Sequence, residues 1–340
     1  MRPIGTATRG TTNPNRLRRM DRWIAAVHGP ALRRADRPVA VDLGYGAAPW
    51  TAVELLDRLR TAEPRTAVVG IEIDPARVAA AKPYEREGLV FVHGGFEIPL
   101  PGVGSGPGRG PGPRPGSGSG SGSGSGLRLV SGSESGLRPV SGSESGLRPE
   151  PGLRPGSGSG LRPGSGSGLR PGSADARPVS GSDRPVLIRA ANVLRQYDEG
   201  EVAAVWQRLC ARLAPDGLLV EGTCDEIGRR HVWVALGPEG PRTVTFATRL
   251  GSLDRPSDLA ERLPKALIHR NVPGEPVHAF LRDFDRAWAA AAPYAPLGAR
   301  QRWIAAVRAL SAHWPLADGV RRWRQGEVTV AWEALRPVGD

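Results

Sequence analysis

The sequence predicts an α/β protein built on a doubly wound, mostly parallel sheet, and three observations carry that expectation. Val39–Leu43 is a short apolar run. Gly44-Tyr45-Gly46 follows it as a tight turn, and beyond Thr51 the residues Leu55, Leu56 and Leu59 recur at helical spacing. Val68–Ile73 repeats the strand pattern, closes on Glu72 and Asp74, and meets Pro75, a residue suited to the first position of a helix. Farther on, His231–Leu236 and Thr243–Leu250 flank Gly237-Pro238-Glu239-Gly240, which reads as a hairpin and adds an antiparallel portion.

The first turn points to an anionic or polar ligand. Glycines at 44 and 46 let backbone pass close to a ligand without Cβ collisions. The helix start beyond them offers unpaired N–H groups. A dinucleotide fingerprint needs a third glycine where Pro49 stands, and a Walker A loop needs a lysine that this turn lacks. What remains is acid-x-Gly-x-Gly headed by Asp42. This pattern, with the acid-ended run at Glu72, resembles the class I S-adenosylmethionine-dependent methyltransferases.

The resemblance extends along residues 39–100 and 184–250. Leu89–His93 with Gly94-Gly95-Phe96 is similar to the third strand and the turn that touches adenine. Many family members carry Asp where Gly95 stands. Val186–Leu194, containing Asn192, is similar to the fourth strand and its end. Leu213-Ala214-Pro215-Asp216-Gly217 is similar to the turn entering strand five, and 231–250 to the antiparallel strands that close the family's sheet. The resemblance implies a seven-stranded sheet and S-adenosyl-L-methionine as cofactor. It implies cofactor contacts from Asp42, Gly44, Tyr45, Gly46, Glu72, Ile73, Gly95, Phe96 and Asn192, with Glu72 on the ribose hydroxyls. A carboxylate suits that role because it accepts two hydrogen bonds at once.

Composition sets the outer bounds. The 340 residues include a low-complexity stretch, 101–185, in which Ser-Gly repeats dominate and Ser-Gly-Ser-Glu-Ser-Gly-Leu-Arg-Pro occurs at 131–139 and again at 141–149. So little apolar content predicts a disordered insert. It divides the cofactor-binding domain into 37–100 and 186–250. An N-terminal segment and helix (1–36) precede the domain and a mostly helical extension (251–340) follows it. Cys210 and Cys224 are the two cysteines, too few for a disulfide framework. The sequence has no long apolar run, so a cytoplasmic protein with no membrane contact is expected. The net charge of +12 rests almost wholly on arginine, since Lys82 and Lys265 are the two lysines. Such an arginine bias fits a GC-rich genome, which makes nucleic-acid binding the less favoured reading.

In the N-terminal segment, Asn15 is placed to cap a helix over 16–27 whose face is Leu17, Met20, Trp23, Ile24 and Val27. Arg9 and Arg16 beside it read either as part of a lid meeting an anion or as a solvated basic face. In the C-terminal extension Trp288, Trp303, Trp314 and Trp323 fall at helical spacing and read first as core. A last strand is expected over 327–332.

Methyl transfer from a sulfonium needs alignment of nucleophile, methyl and sulfur more than acid–base help. No catalytic residue and no metal site are therefore assigned. Asp225, Glu226 and His231, past strand five, are candidate bases and read more naturally as loop or surface residues. His93 reads as structural. Asn192 occupies the place of the Asp/Asn-Pro-Pro-Tyr/Phe motif of amino-methylating nucleic-acid enzymes, but Val193-Leu194-Arg195 replaces the rest. The expected activity is methyl transfer to a small-molecule acceptor. The alternatives are an RNA or protein methyltransferase using the basic surface, and an idle module that binds cofactor or a partner.

Overall fold

The computed structural model describes residues 4–6, 13–100 and 184–339. The expected disorder of the low-complexity stretch, and the lid role of Arg9, lie outside the described residues.

Each element of the first half follows from local sequence. Strand β1 (Val39–Leu43) is buried along its whole length, as befits an apolar run covered on both faces. Helix α2 (Trp50–Arg60) buries Leu55, Leu56 and Leu59. Strand β2 (Ala67–Glu72) is buried throughout and leads to α3 (Pro75–Ala81), where the Asp74 carboxylate caps the N–H groups of Ala76 and Arg77. Strand β3 (Leu89–His93) lies parallel to β2. Gly70 of β2 is required here, because a Cβ would lie 2.6 Å from the Phe91 ring.

Strand β4 (Leu187–Ala191) pairs in parallel with β1, not with β3. Helix α4 (Glu199–Cys210) follows, begun by a capping box in which Asp198 and Glu201 exchange bonds. Strand β5 (Leu218–Cys224) completes five parallel strands. The chain then turns back directly into β6 (Arg230–Gly237) and β7 (Gly240–Thr248), both antiparallel to their neighbours. Beyond the 3₁₀ segment Pro256–Arg262 come helices α5 (Lys265–Ile268), α6 (Pro276–Ala290), α7 (Ala299–Leu310) and α8 (Val320–Trp323). Strand β8 (Glu327–Ala331) pairs with β7.

The sheet therefore has eight strands in the order β3-β2-β1-β4-β5-β6-β7-β8, not seven. The extra strand is β8. The exposed edge of β7 would otherwise leave unpaired backbone groups, and β8 returns from the helical extension to satisfy them. Helices α1 (Arg18–Arg34), α2 and α3 cover one face of the sheet. Helices α4 through α8 cover the other, with Trp303 and Trp323 in that core, in line with the core reading of the tryptophans.

Helix α1 departs from the expected 16–27. Asn15 does not cap it: its φ is 62°, its N–H donates to Glu54 Oε1 at 2.6 Å, and its side-chain oxygen accepts from Arg58. The helix runs through Pro30 to Arg34 because its second half is anchored. Leu32 is buried and the His28 ring is hydrogen-bonded to the Val186 carbonyl at 2.9 Å. Val27, expected on the apolar face, is exposed.

Candidate cofactor cleft at the switch point

Strand order reverses between β1 and β4, so their C-terminal ends open a crevice where doubly wound sheets bind ligands. The turn after β1 is shaped by Gly44 and Gly46, at φ 67° and 88°, values that glycine adopts without strain. The turn after β4 is shaped by Asn192 at φ 61°, a conformation that Asn tolerates better than most residues. The Asn192 carboxamide oxygen accepts the Cys224 N–H at 3.0 Å and its NH2 lies 3.2 Å from the Cys224 sulfur. That exchange ties β4 to β5. Burial pushes the Cys224 thiol up, so it stays protonated.

Two hollows meet at Gly44. The larger, about 340 Å³, is lined by Asp42, Tyr45, Gly46, Thr51, Ala191, Asn192, Arg195, Cys224, Glu226 and Arg262, with Arg16 and Leu17 above. The smaller runs past Glu72, Ile73, Gly95, Phe96 and Tyr197. All nine residues expected at the cofactor thus border one continuous region around the switch point.

Glu72 is 1% exposed. One carboxylate oxygen accepts the Gly46 N–H at 3.0 Å and the other accepts the Ile73 N–H at 2.9 Å. Arg77 stands 3.6 Å away. The acid that ends β2 therefore reaches the glycine turn itself, and each oxygen keeps lone-pair capacity for a hydroxyl donor.

Asp42 stands near the end of β1 and lines the larger hollow. Its carboxylate is held from beneath by Arg189 of β4, at 2.8 and 3.1 Å, and by the Thr51 hydroxyl at 2.7 Å. Arg189 is wholly buried and also binds Asp21 of α1 and the Thr51 carbonyl. Burial alone would lower the pKa of this guanidinium, but Asp21 and Asp42 more than offset it and the net shift is upward. Asp42 thus fixes the first turn of α2 against the strand ends. Sequence reasoning missed Arg189; the signal was one arginine inside the apolar run Val186–Leu194.

The hollow beside Gly95 is occupied by the chain itself. The Ile4 carbonyl accepts the Phe96 N–H at 2.9 Å. The Ile4 N–H donates to Glu97, and the Thr6 N–H donates to the Tyr197 hydroxyl. A Cβ at Gly95 would collide with the Ile4 backbone, so glycine at this position makes room for the strap. Only about 20 Å³ remains there, too little for an aromatic base.

The candidate bases separate. His231 is not a loop or surface residue: it lies on β6, fully buried, and burial pushes its pKa down to about 3. Asp225 accepts the N–H groups of Arg229 and Arg230 and shapes the β5–β6 loop. Glu226 is exposed and lines the cleft mouth. The His93 ring is hydrogen-bonded to the Ile73 carbonyl at 3.0 Å. Arg16 donates to the Asp225 carbonyl at 3.0 Å and so closes one side of the cleft. No cluster suited to a metal ion occurs among the described residues. No described helix is long and apolar enough to cross a membrane.

Five parallel strands, a glycine turn after the first, an acid ending the second and an antiparallel closure make a doubly wound α/β sheet. No family model and no curated protein matches the sequence. Among solved structures, human N-acetylserotonin methyltransferase in complex with S-adenosylmethionine is 15% identical at a TM-score of 0.26, over 59% of this chain and 35% of that one. An S-adenosylmethionine-bound amino pentose methyltransferase of calicheamicin biosynthesis from Micromonospora echinaspora is 16% identical at 0.27, over 68% and 65%. A sugar N-methyltransferase from Streptoalloteichus is 12% identical at 0.29, over 74% and 73%. The match thus spans about a third of the first of these proteins and just under two thirds of the second. Superposition at these scores is loose, and the strand order and turns carry the fold assignment.

Proposed function

We propose that the protein is an S-adenosylmethionine-dependent methyltransferase acting on a small-molecule acceptor. The observation that carries this reading is the meeting of Glu72 with the Gly44–Gly46 turn at the switch point, the acid that the resemblance assigns to ribose and a turn that it assigns to the cofactor. The residues present fit the group at that end. The fit at the adenine end requires Ile4–Thr6 to leave or shift.

When bound, the sulfonium supplies an activated methyl carbon. The chain's part is binding, alignment and exclusion of water. The start of α2 presents N–H groups, Glu72 accepts hydroxyl donors, and Asn192 braces β4 against β5. Leu17, Ala191 and Cys224 supply apolar wall. No side chain is assigned as base, because an acceptor nitrogen or oxygen that gives up its proton late needs none. The modest cleft favours a small acceptor over a folded RNA or protein surface.

Calorimetry with S-adenosylhomocysteine tests the cofactor, beside thermal shifts with NAD and ATP. The expected result is saturable binding of the homocysteine compound and no stabilisation by the other two. Stabilisation by NAD alone would sink the reading. Methyl-labelled cofactor incubated with fractionated small metabolites then tests turnover, and binding without any transfer would favour the idle module.

A further inference from the structure

The part of the cleft farthest from Glu72 is built from the ends of β4 and β5, and it is basic. Arg195 lies in the 3₁₀ turn Leu194–Gln196 directly after β4. Arg262 ends the segment Pro256–Arg262, which is fastened to β5 by a hydrogen bond from the Thr223 hydroxyl to the Arg262 carbonyl. Both side chains line the same cavity as Asn192 and Gly46.

The partners of these two arginines do not use up their charge. Arg195 donates to a neutral group, the Glu261 carbonyl, at 3.2 Å. The Glu261 carboxylate is 3.9 Å from Arg262, is 61% exposed, and is held more closely by Arg230 at 3.3 Å. The Arg262 Nε is buried and has no hydrogen-bond partner among the described residues. An unpaired buried donor is costly. Arg195 is also pushed down in pKa, first by burial and next by Arg262, so the two guanidiniums feel each other. Of the acids that line the cavity, Asp42 is already paired with Arg189, and Glu226 is exposed at the mouth. Two long cations held together at a cavity wall, one with an idle donor, suit an oxyanion that accepts charge-assisted bonds from both.

On the reading that this cleft is a methyl-transfer site, we infer that the acceptor carries an anionic group, a carboxylate or a phosphate, which Arg195 and Arg262 hold while another atom of the acceptor takes the methyl group. The anion is a handle: it turns the acceptor relative to the glycine turn, and neutral analogues lacking it bind poorly.

The test uses the full chain and two probes, inorganic phosphate and acetate, each titrated with and without saturating S-adenosylhomocysteine. The readout is the side-chain Nε–H resonance that disappears in Arg262→Gln. Saturable shifts are expected, and Arg195→Gln should weaken anion binding at least about tenfold, since it removes one of two charged donors. Saturation by phosphate but not acetate identifies a phosphorylated acceptor, and the reverse a carboxylate. Strictly linear shifts with both probes up to about 50 mM, a range of negligible affinity, would overturn the proposal. S-adenosylhomocysteine affinity should be the same in wild type and in both variants, with thermal midpoints checked alongside. A tenfold loss in the variants would assign the arginines to the cofactor's own carboxylate, and that outcome also overturns the proposal. Absence of S-adenosylhomocysteine binding in wild type sinks the cofactor reading instead, and the anion arm run without it still decides whether the arginines form an anion site.

Discussion

Buried ionisable residues decide most of what can be tested one side chain at a time. Glu72 joins β2 to the glycine turn, and hydrogen bonds to a charged group contribute roughly 1.5–3 kcal/mol. Glu72→Ala is expected to weaken S-adenosylhomocysteine roughly ten- to a hundredfold by calorimetry, at about 1.4 kcal/mol per tenfold. Unchanged affinity in a folded variant would remove Glu72 from the ribose. Arg189 neutralises Asp21 and Asp42 in a place where all three are buried. Arg189→Met leaves Asp42 without a cationic partner and Asp21 with Arg58 alone, and a loss of about 3–5 kcal/mol in denaturant unfolding is expected. Glu221 of β5 is fully buried, and neither carboxyl oxygen has a hydrogen-bond partner among the described residues; the nearby Trp206 indole falls outside bonding geometry. Burial pushes its pKa up to about 8, well above the ordinary glutamate range. The folded state therefore holds this proton longer than the unfolded chain does. Its contribution is fully present below the ordinary glutamate range and is lost as pH rises through about 8. Glu221→Gln should flatten the fall in melting temperature between the ordinary glutamate range and about pH 8, and an identical fall in wild type and variant would contradict this. His231 acts in the opposite sense. With its pKa pushed down to about 3, stability is full above the ordinary histidine range and is lost as pH falls below it.

At the scale of elements, on the proposed reading the strap Ile4–Thr6 competes with the cofactor for the hollow beside Gly95. It binds through backbone groups at Phe96, Glu97 and Tyr197, so its hold depends little on its own side chains. A chain lacking residues 1–6 is expected to bind S-adenosylhomocysteine more tightly, by up to about tenfold, because a fraction of the full-length molecules is closed. Weaker binding after truncation would show instead that the strap closes over the ligand. Much of this element's surroundings was readable in advance. The sequence shows Gly94-Gly95-Phe96 as a turn after β3. What fills it was not readable, because a backbone carbonyl from the first residues leaves no compositional trace. Helix α1 shows the same limit: Asn15 has the chemistry of a cap, yet Glu54 and Arg58 of α2 claim it first.

For the molecule as a whole, β3 is a sheet edge and β4 lies beyond β2 and β1. The span between them is three strand spacings, roughly 15 Å, which about ten flexible residues can bridge. Replacing residues 101–183 by such a linker is therefore expected to leave the fold and S-adenosylhomocysteine affinity intact. Shortening the loop should also raise stability by roughly 2 kcal/mol through loop-closure entropy. An insoluble or cofactor-blind variant would show that this stretch belongs to the packed body.

By itself the sequence determined the strands, the glycine turns and the caps of α3 and α4, because apolar period, positive-φ glycines and capping carboxylates act over a few neighbouring residues. It also placed Asp42, Glu72, Gly95 and Asn192 at strand ends, which in a doubly wound sheet converge. Only the tertiary structure decided their partners. Arg189 is 147 residues from Asp42 and 168 from Asp21, Ile4 is 93 from Glu97, and β8 reaches the edge of β7 from the end of the chain. A buried charge, an unpaired sheet edge or an open hollow must be satisfied by whatever the packed chain brings beside it, and no local pattern records which residue that is.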